Sequence, residues 1–226
     1  MNNPLKPWYK KWWGVLALLA LLFFISIFFA FVFLVINSRD TAPSSGINPL
    51  LTQKVPALAI GTEKNYWLGS ANPKITIVEF GDFACSYCQK SFSKIREISQ
   101  LYKNDIKYIY RDYPVVSDYS AKLALAARCA GEQGLFWIMH DKLYINQGIS
   151  TDQEILNHFK QTGGNEAKFS TCYDANKYLP EIEKDLSDGQ SLNITGTPTW
   201  FVNGQRLEGD VPYEYFINLI SNILGT

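Results

Sequence analysis

Apolar positions follow two regimes along the chain. From Gly14 to Ile36 they are continuous (GVLALLALLFFISIFFAFVFLVI, broken only by Ser26), and beyond that they become periodic. As a helix the continuous run would rise roughly 34 Å, enough to cross a hydrocarbon core of about 30 Å. Asn37 to about Pro56 has no periodicity and is rich in Ser, Pro, Asn and Gly, as a tether would be. Ile75 to Phe80, introduced by Asn72-Pro73, predicts a buried strand. Cys88, Phe92, Ile95, Ile98 and Tyr102 then recur at helical spacing, and Ile106 to Tyr110 (IKYIY) reads as the next strand. A helical block over about 117–190 follows, with a capping box at Thr151-Asp152-Gln153-Glu154. Thr199 to Val202 and Gln205 to Glu208 flank Asn203-Gly204 as a hairpin, and Pro212 to Leu224 reads as a closing helix. This order predicts an α/β sandwich: a parallel strand–helix–strand unit, then an antiparallel hairpin and a last helix. The segments are expected at 1–13, 14–36 (membrane anchor), 37–56 (linker) and 57–226 (folded domain).

Charge gives the apolar run a direction. Lys6, Lys10 and Lys11 precede it, whereas Arg39 and Asp40 cancel just after it. The excess of positive charge is expected to stay in the cytoplasm, which makes the chain a single-pass protein of the cell membrane with its folded domain outside. Trp8, Tyr9, Trp12 and Trp13 suit an aromatic belt at the inner interface. A cleaved signal peptide would have a shorter apolar core and a small-x-small site, and Val35-Ile36-Asn37-Ser38-Arg39 offers none. Twenty-one basic and 21 acidic residues leave no net charge, so neither nucleic acid nor an acidic partner is indicated. Four cysteines in an oxidising compartment suit two disulfides, with three pairings open.

Cys85-Ser86-Tyr87-Cys88 lies at a strand-to-helix turn. There the first sulfur meets unpaired backbone N–H groups and the positive end of a helix dipole, which favour a thiolate. Cys85 is thus the candidate nucleophile and Cys88, one helical turn on, the resolving partner. Half of a zinc site is the competing reading, but neither Cys129 nor Cys172 belongs to a second metal-binding pair. His140 and His158 fall in helical stretches and are expected to pack or face solvent. No metal or cofactor is expected.

The run Ile77 to Cys88 (IVEFGDFACSYC) resembles the active-site segment of DsbA-like thiol–disulfide oxidoreductases. Leu125 to Ala130 with Gly134 to Asp141, and Gly196 to Gly204 (GTPTWFVNG), are similar to that family's helical insertion and to the loop opposite its CxxC. The resemblance covers roughly Asn65 to Leu224 and implies a thioredoxin fold with a helical insertion. It also implies that Glu79 is an acid near the buried cysteine, although strand alternation alone does not decide which face Glu79 takes. It implies a cis bond before Pro198, which with Thr197 would meet a substrate strand, and a structural disulfide between Cys129 and Cys172. The family often carries Pro or His between the cysteines. Ser86 and Tyr87 stand here instead, so a less extreme oxidant is expected.

The resulting expectation is a membrane-tethered oxidoreductase that donates disulfides to reduced protein substrates and is recharged by a membrane quinone-coupled thiol oxidase. One alternative is a reductase or isomerase using the same residues. Another is a copper-binding assembly protein, which CxxC spacing and the scarcity of Met disfavour.

Overall fold

The computed structural model describes residues 12–37 and 56–226. The expected segments 1–13 and 37–56 lie, apart from their end residues, outside the described residues. The chain divides into two units, 1–48 and 49–226, each described by itself.

The described residues of the first unit form helix α1 (Trp12–Asn37). Its side chains are described continuously over 19–33, where residues such as Phe23, Phe24, Phe28 and Phe29 are exposed. Among the described residues, no helix is long and apolar enough to cross a membrane.

The second unit is built on a five-stranded sheet. A short helix α2 (Ala57–Ile60) leads into edge strand β1 (Trp67–Gly69) and then β2 (Ile75–Gly81). Helix α3 (Ser86–Leu101) crosses from β2 to the parallel strand β3 (Ile106–Asp112). The insertion follows as α4 (Ser120–Gly131), α5 (Phe136–Ile145), α6 (Asp152–Lys160), α7 (Glu166–Asp174) and α8 (Leu179–Ser191). The hairpin β4 (Thr199–Val202) and β5 (Gln205–Glu208) precedes α9 (Tyr213–Leu224). Strand order is β1-β3-β2-β4-β5, with β2–β3 parallel and the other neighbours antiparallel. This is the α/β arrangement the sequence implied. The additions are β1 and α2, each too short to show a period.

Strands β2 and β3 are buried on both faces except at half-buried Thr76 and Lys107, so even Glu79, Arg111 and Asp112 are enclosed. Ile75, Ile77, Tyr108, Tyr110, Trp200 and Val202 join the core containing Ile95 and Ile98 of α3 and Phe216 and Ile220 of α9. Val78, Phe80, Ile109 and Phe201 pack on the other face, with Ala59 of α2 and Leu186 of α8. Local signals end the elements where the sequence indicated. Thr151 and Glu154 exchange both capping-box bonds, and Asn203 and Gly204 adopt the positive φ values that the hairpin turn requires.

Two cross-links fix the insertion. Cys129 of α4 and Cys172 of α7 form a disulfide, Cα–Cα 5.7 Å, across 43 residues. Closing a loop of that length stabilises the fold by about 4 kcal/mol in the chain-entropy view. The second cross-link is a buried ion network. Arg111 pairs with Asp185 (2.7 Å) and Asp188 (2.6 Å), while Arg128 pairs with Asp112 and Asp185 (2.7 Å). It joins the end of β3 to α4 and α8. Arg111 also donates to the carbonyls of Leu58 and Ala59, so the lead-in helix is held by the same group.

Candidate active site

Cys85 is the N-cap residue of α3, with extended backbone dihedrals, and its carbonyl accepts the Gln89 N–H. The first turn therefore opens toward its own sulfur. Asp82 sets this turn: its backbone carbonyl accepts the Cys85 N–H, and its buried carboxylate accepts the N–H groups of Ala84, Val115 and Val116 at 2.8 Å each. Gln147, from the loop after α5, donates to the carbonyls of Phe83 and Cys85. The insertion thus holds the cysteine loop directly.

The two cysteines are reduced and differ sharply in setting. Cys85 is 6% exposed and donates from Sγ to the Thr197 carbonyl at 3.2 Å, whereas Cys88 is fully buried. The Thr197–Pro198 bond is cis, and this loop lies directly against the Cys85 sulfur. The Cys88 thiol donating to Cys85 is the strongest influence pulling the Cys85 pKa down to about 6. Burial opposes it, while the Thr197 side chain and the N–H groups of Cys88 and Tyr87 assist. Cys88 moves the other way, well above an ordinary thiol, chiefly through burial and then through its bond to Cys85 and the charge of Glu79. Two thiols one turn apart are thus split into a ready thiolate and a proton-holding partner.

Thr197 Oγ1 is buried with no hydrogen-bond partner while the Cys85 thiol is protonated, so it is free to donate to the thiolate. Thr197→Val should therefore raise the Cys85 pKa by about one unit. The pH dependence of Cys85 alkylation in the two reduced proteins reads the shift directly.

Glu79 is fully buried. It shares a sheet face with Ile77 and lies in register with Tyr110 and Trp200. That face packs against α3, which carries Cys88. Oε2 accepts from the Tyr108 hydroxyl, while Oε1 has no hydrogen-bond partner. Burial is the main reason its pKa rises to about 8; the Tyr108 bond opposes the rise and the charge of Cys85 adds to it. The folded protein therefore holds the Glu79 proton between about pH 4.5 and 8, where the unfolded chain has released it. Stability from this group falls as pH rises through that window. Glu79→Gln should remove this slope, as shown by denaturation midpoints of the oxidised wild type and variant across pH.

Cys85, Cys88, Glu79, Thr197 and Pro198 meet around one sulfur pair, and Cys129 and Cys172 form the separate bond in the insertion. Sequence reasoning assigned no role to Asp82, Tyr108 or Gln147. Asp82 lies inside the quoted motif and could have been found; the other two carry no local signal. Among the described residues, no group of three or more His, Cys, Asp or Glu could hold a metal ion.

Comparisons with known proteins agree with this architecture. The family described as Thioredoxin matches residues 61–222. The chain is similar to the Na(+)/H(+) antiporter NhaA 1 of Salinispora arenicola, 31% identical over 157 residues, covering 69% of this chain and 24% of that protein. It is similar to NhaA 3 of Salinispora tropica, 30% identical over 156 residues, with 68% and 24% covered. The chain spans about a quarter of the length of the curated relatives it matches. Among solved structures it is similar to oxidised BdbD of Bacillus subtilis, with TM-score 0.66 and 24% identity over 77% of this chain and 98% of that one. The thiol-disulfide exchange protein alpha-DsbA2 of Wolbachia pipientis gives TM-score 0.68 and 22% identity over 73% and 90%. These likenesses show a thioredoxin-like fold, into which the helices α4 to α8 are inserted. The chain belongs to the thioredoxin family.

Proposed function

We propose that this protein is a thiol–disulfide oxidoreductase that donates disulfides to reduced proteins outside the cytoplasm. The observation that carries the proposal is the Cys85 sulfur: held at the mouth of α3, beside the Thr197–Pro198 loop, with its pKa lowered to about 6. In the oxidised enzyme a substrate thiolate attacks Cys85 Sγ, the Cys85–Cys88 bond breaks, and Cys88 leaves and takes a proton. A second substrate thiolate then attacks the substrate's own sulfur in the mixed disulfide, and Cys85 departs as a thiolate. The substrate gains one disulfide and the enzyme is left with two reduced sulfurs. A sulfur content with low proton affinity is a good leaving group, so this asymmetry favours donation. Tyr87, 55% exposed, and the exposed Val115 and Val116 beside Asp82 supply apolar surface suited to an unfolded chain.

The helix α1 supports a membrane tether. Its described side chains present apolar surface to solvent, an arrangement water does not favour, and Lys6, Lys10 and Lys11 precede it. In this reading residues 14–36 enter the bilayer, the N-terminus is cytoplasmic and a membrane quinone-coupled thiol oxidase restores the bond. Alkylation trapping in cells tests the direction: a mostly oxidised Cys85–Cys88 pair supports donation, and a mostly reduced pair supports a reductase or isomerase. Release of the protein from membranes by alkaline carbonate would contradict the tether.

A further inference from the structure

The structure assigns to Tyr108 the role of positioning residue for the Glu79 proton; this rests on the exchange reading above. A neutral carboxylic acid has one oxygen that accepts and one that carries the proton. The Tyr108 hydroxyl donates to Oε2, which makes Oε2 the accepting oxygen and leaves the proton on Oε1. Oε1 is buried and has no other partner, so its proton is held by no competing bond. When the Cys85–Cys88 bond breaks, this proton passes to the departing Cys88 thiolate through one intervening water, since Oε1 makes no hydrogen bond to the Cys88 sulfur, and Glu79 becomes a carboxylate stabilised by Tyr108.

The surroundings leave this task to the hydroxyl. Cys85 and Cys88 face Glu79 from α3, Tyr108 and Tyr110 from β3, and Tyr144 from α5. Tyr110 and Tyr144 are hydrogen-bonded to each other. Strand β4 places Trp200 beside Glu79 and offers no titratable group. Arg96 acts on Tyr108 from α3 but is paired with Asp141 of α5 at 3.2 Å. His140, on the same helix, also bonds Asp141. Among the described residues, no lysine or arginine pairs with Glu79, so Tyr108 is the group that steadies its charge.

Two measurements test the assignment. In the oxidised full-length protein, the carboxyl stretch of isotope-labelled Glu79, followed by infrared spectroscopy, reports its proton directly. Tyr108→Phe should raise the midpoint by about one pH unit, because it removes a hydrogen bond to the charged form. Site-specific fluorotyrosine at 108, a stronger donor of nearly the same shape, should lower the midpoint. This second variant keeps the test alive if the phenylalanine protein does not fold. In the second measurement, reduced glutathione attacks the oxidised proteins across pH. The rate ratio of Tyr108→Phe to wild type should climb with pH between the two infrared midpoints, where wild type alone has lost its Glu79 proton, and should be flat in a Glu79→Gln background. Unchanged infrared midpoints in both variants, or a flat ratio with Glu79 present, would overturn the assignment, since packing alone would alter stability without moving either. A wild type inert toward glutathione would sink the exchange reading instead, while the infrared titration would still decide the role of Tyr108.

Discussion

A Cys88→Ser variant should accumulate covalent complexes with disulfide-bearing proteins, and Cys85→Ser should accumulate none. The geometry makes the two sulfurs unequal. Cys85 reaches the surface at the mouth of α3 and holds its charge at neutral pH, whereas Cys88 is sealed beneath it. With Cys88 gone, Cys85 still attacks a substrate disulfide, expelling one substrate thiolate, and no neighbouring sulfur remains to release the product. The variant still catalyses one step but not a cycle, so turnover should fall to the background of uncatalysed exchange. The serine hydroxyl can still donate to the Cys85 thiolate, whereas Cys88→Ala removes the largest influence lowering the Cys85 pKa, so in the alanine variant formation of the complex should slow near neutral pH and recover as pH rises. Non-reducing electrophoresis after acid quench, with Cys85→Ser as control, measures both effects. Equal trapping by the two variants would show that the sulfurs are interchangeable.

Arg128→Met should cost about 3–5 kcal/mol of stability, because it strands buried carboxylates. Arg128 is almost wholly buried and pairs with both Asp112 and Asp185; Asp185 is shared with Arg111, and its oxygens also accept from Asn65 and from the Asp112 N–H. Methionine fills much of the arginine's volume and supplies none of its charge. For a domain whose total stability is of order 5–15 kcal/mol, this is a large fraction. The sign of the pH effect follows from Asp112. Burial already raises its pKa to about 6 despite Arg128, and removing that cation raises it further. The variant should therefore regain part of its stability on mild acidification, when the stranded carboxyl takes a proton. Urea denaturation midpoints at two pH values check the size and the sign together.

The parts of the protein that could be read from the chain are those encoded locally. The capping box at Thr151 and Glu154, the Asn203-Gly204 turn, the apolar periods of β2, α3 and β3, and the CxxC at a strand-to-helix turn all act within a few residues. The parts that escaped depend on distant pairs. Tyr108 meets Glu79 across 29 residues, and Arg111 meets Asp185 across 74. Edge strand β1 exists because β3 offers it an antiparallel partner, and its three residues show no period of their own. Glu79 shows the boundary most clearly. Alternation placed it with Ile77, but only the packed sheet reveals that this is the face covered by α3, and hence by Cys88. The pairing of Cys129 with Cys172 likewise came from resemblance, since four cysteines by themselves permit three pairings.

The proposed exchange depends on the charge of a single thiol, and titrating Cys85 in the reduced protein tests it most directly. Alkylation rate against pH, with the modified cysteine identified by peptide mass, should show a midpoint at about 6 assigned to Cys85, with Cys88 unreactive throughout that range. A midpoint near the ordinary thiol value of about 8.5, or equal labelling of both cysteines, would contradict it.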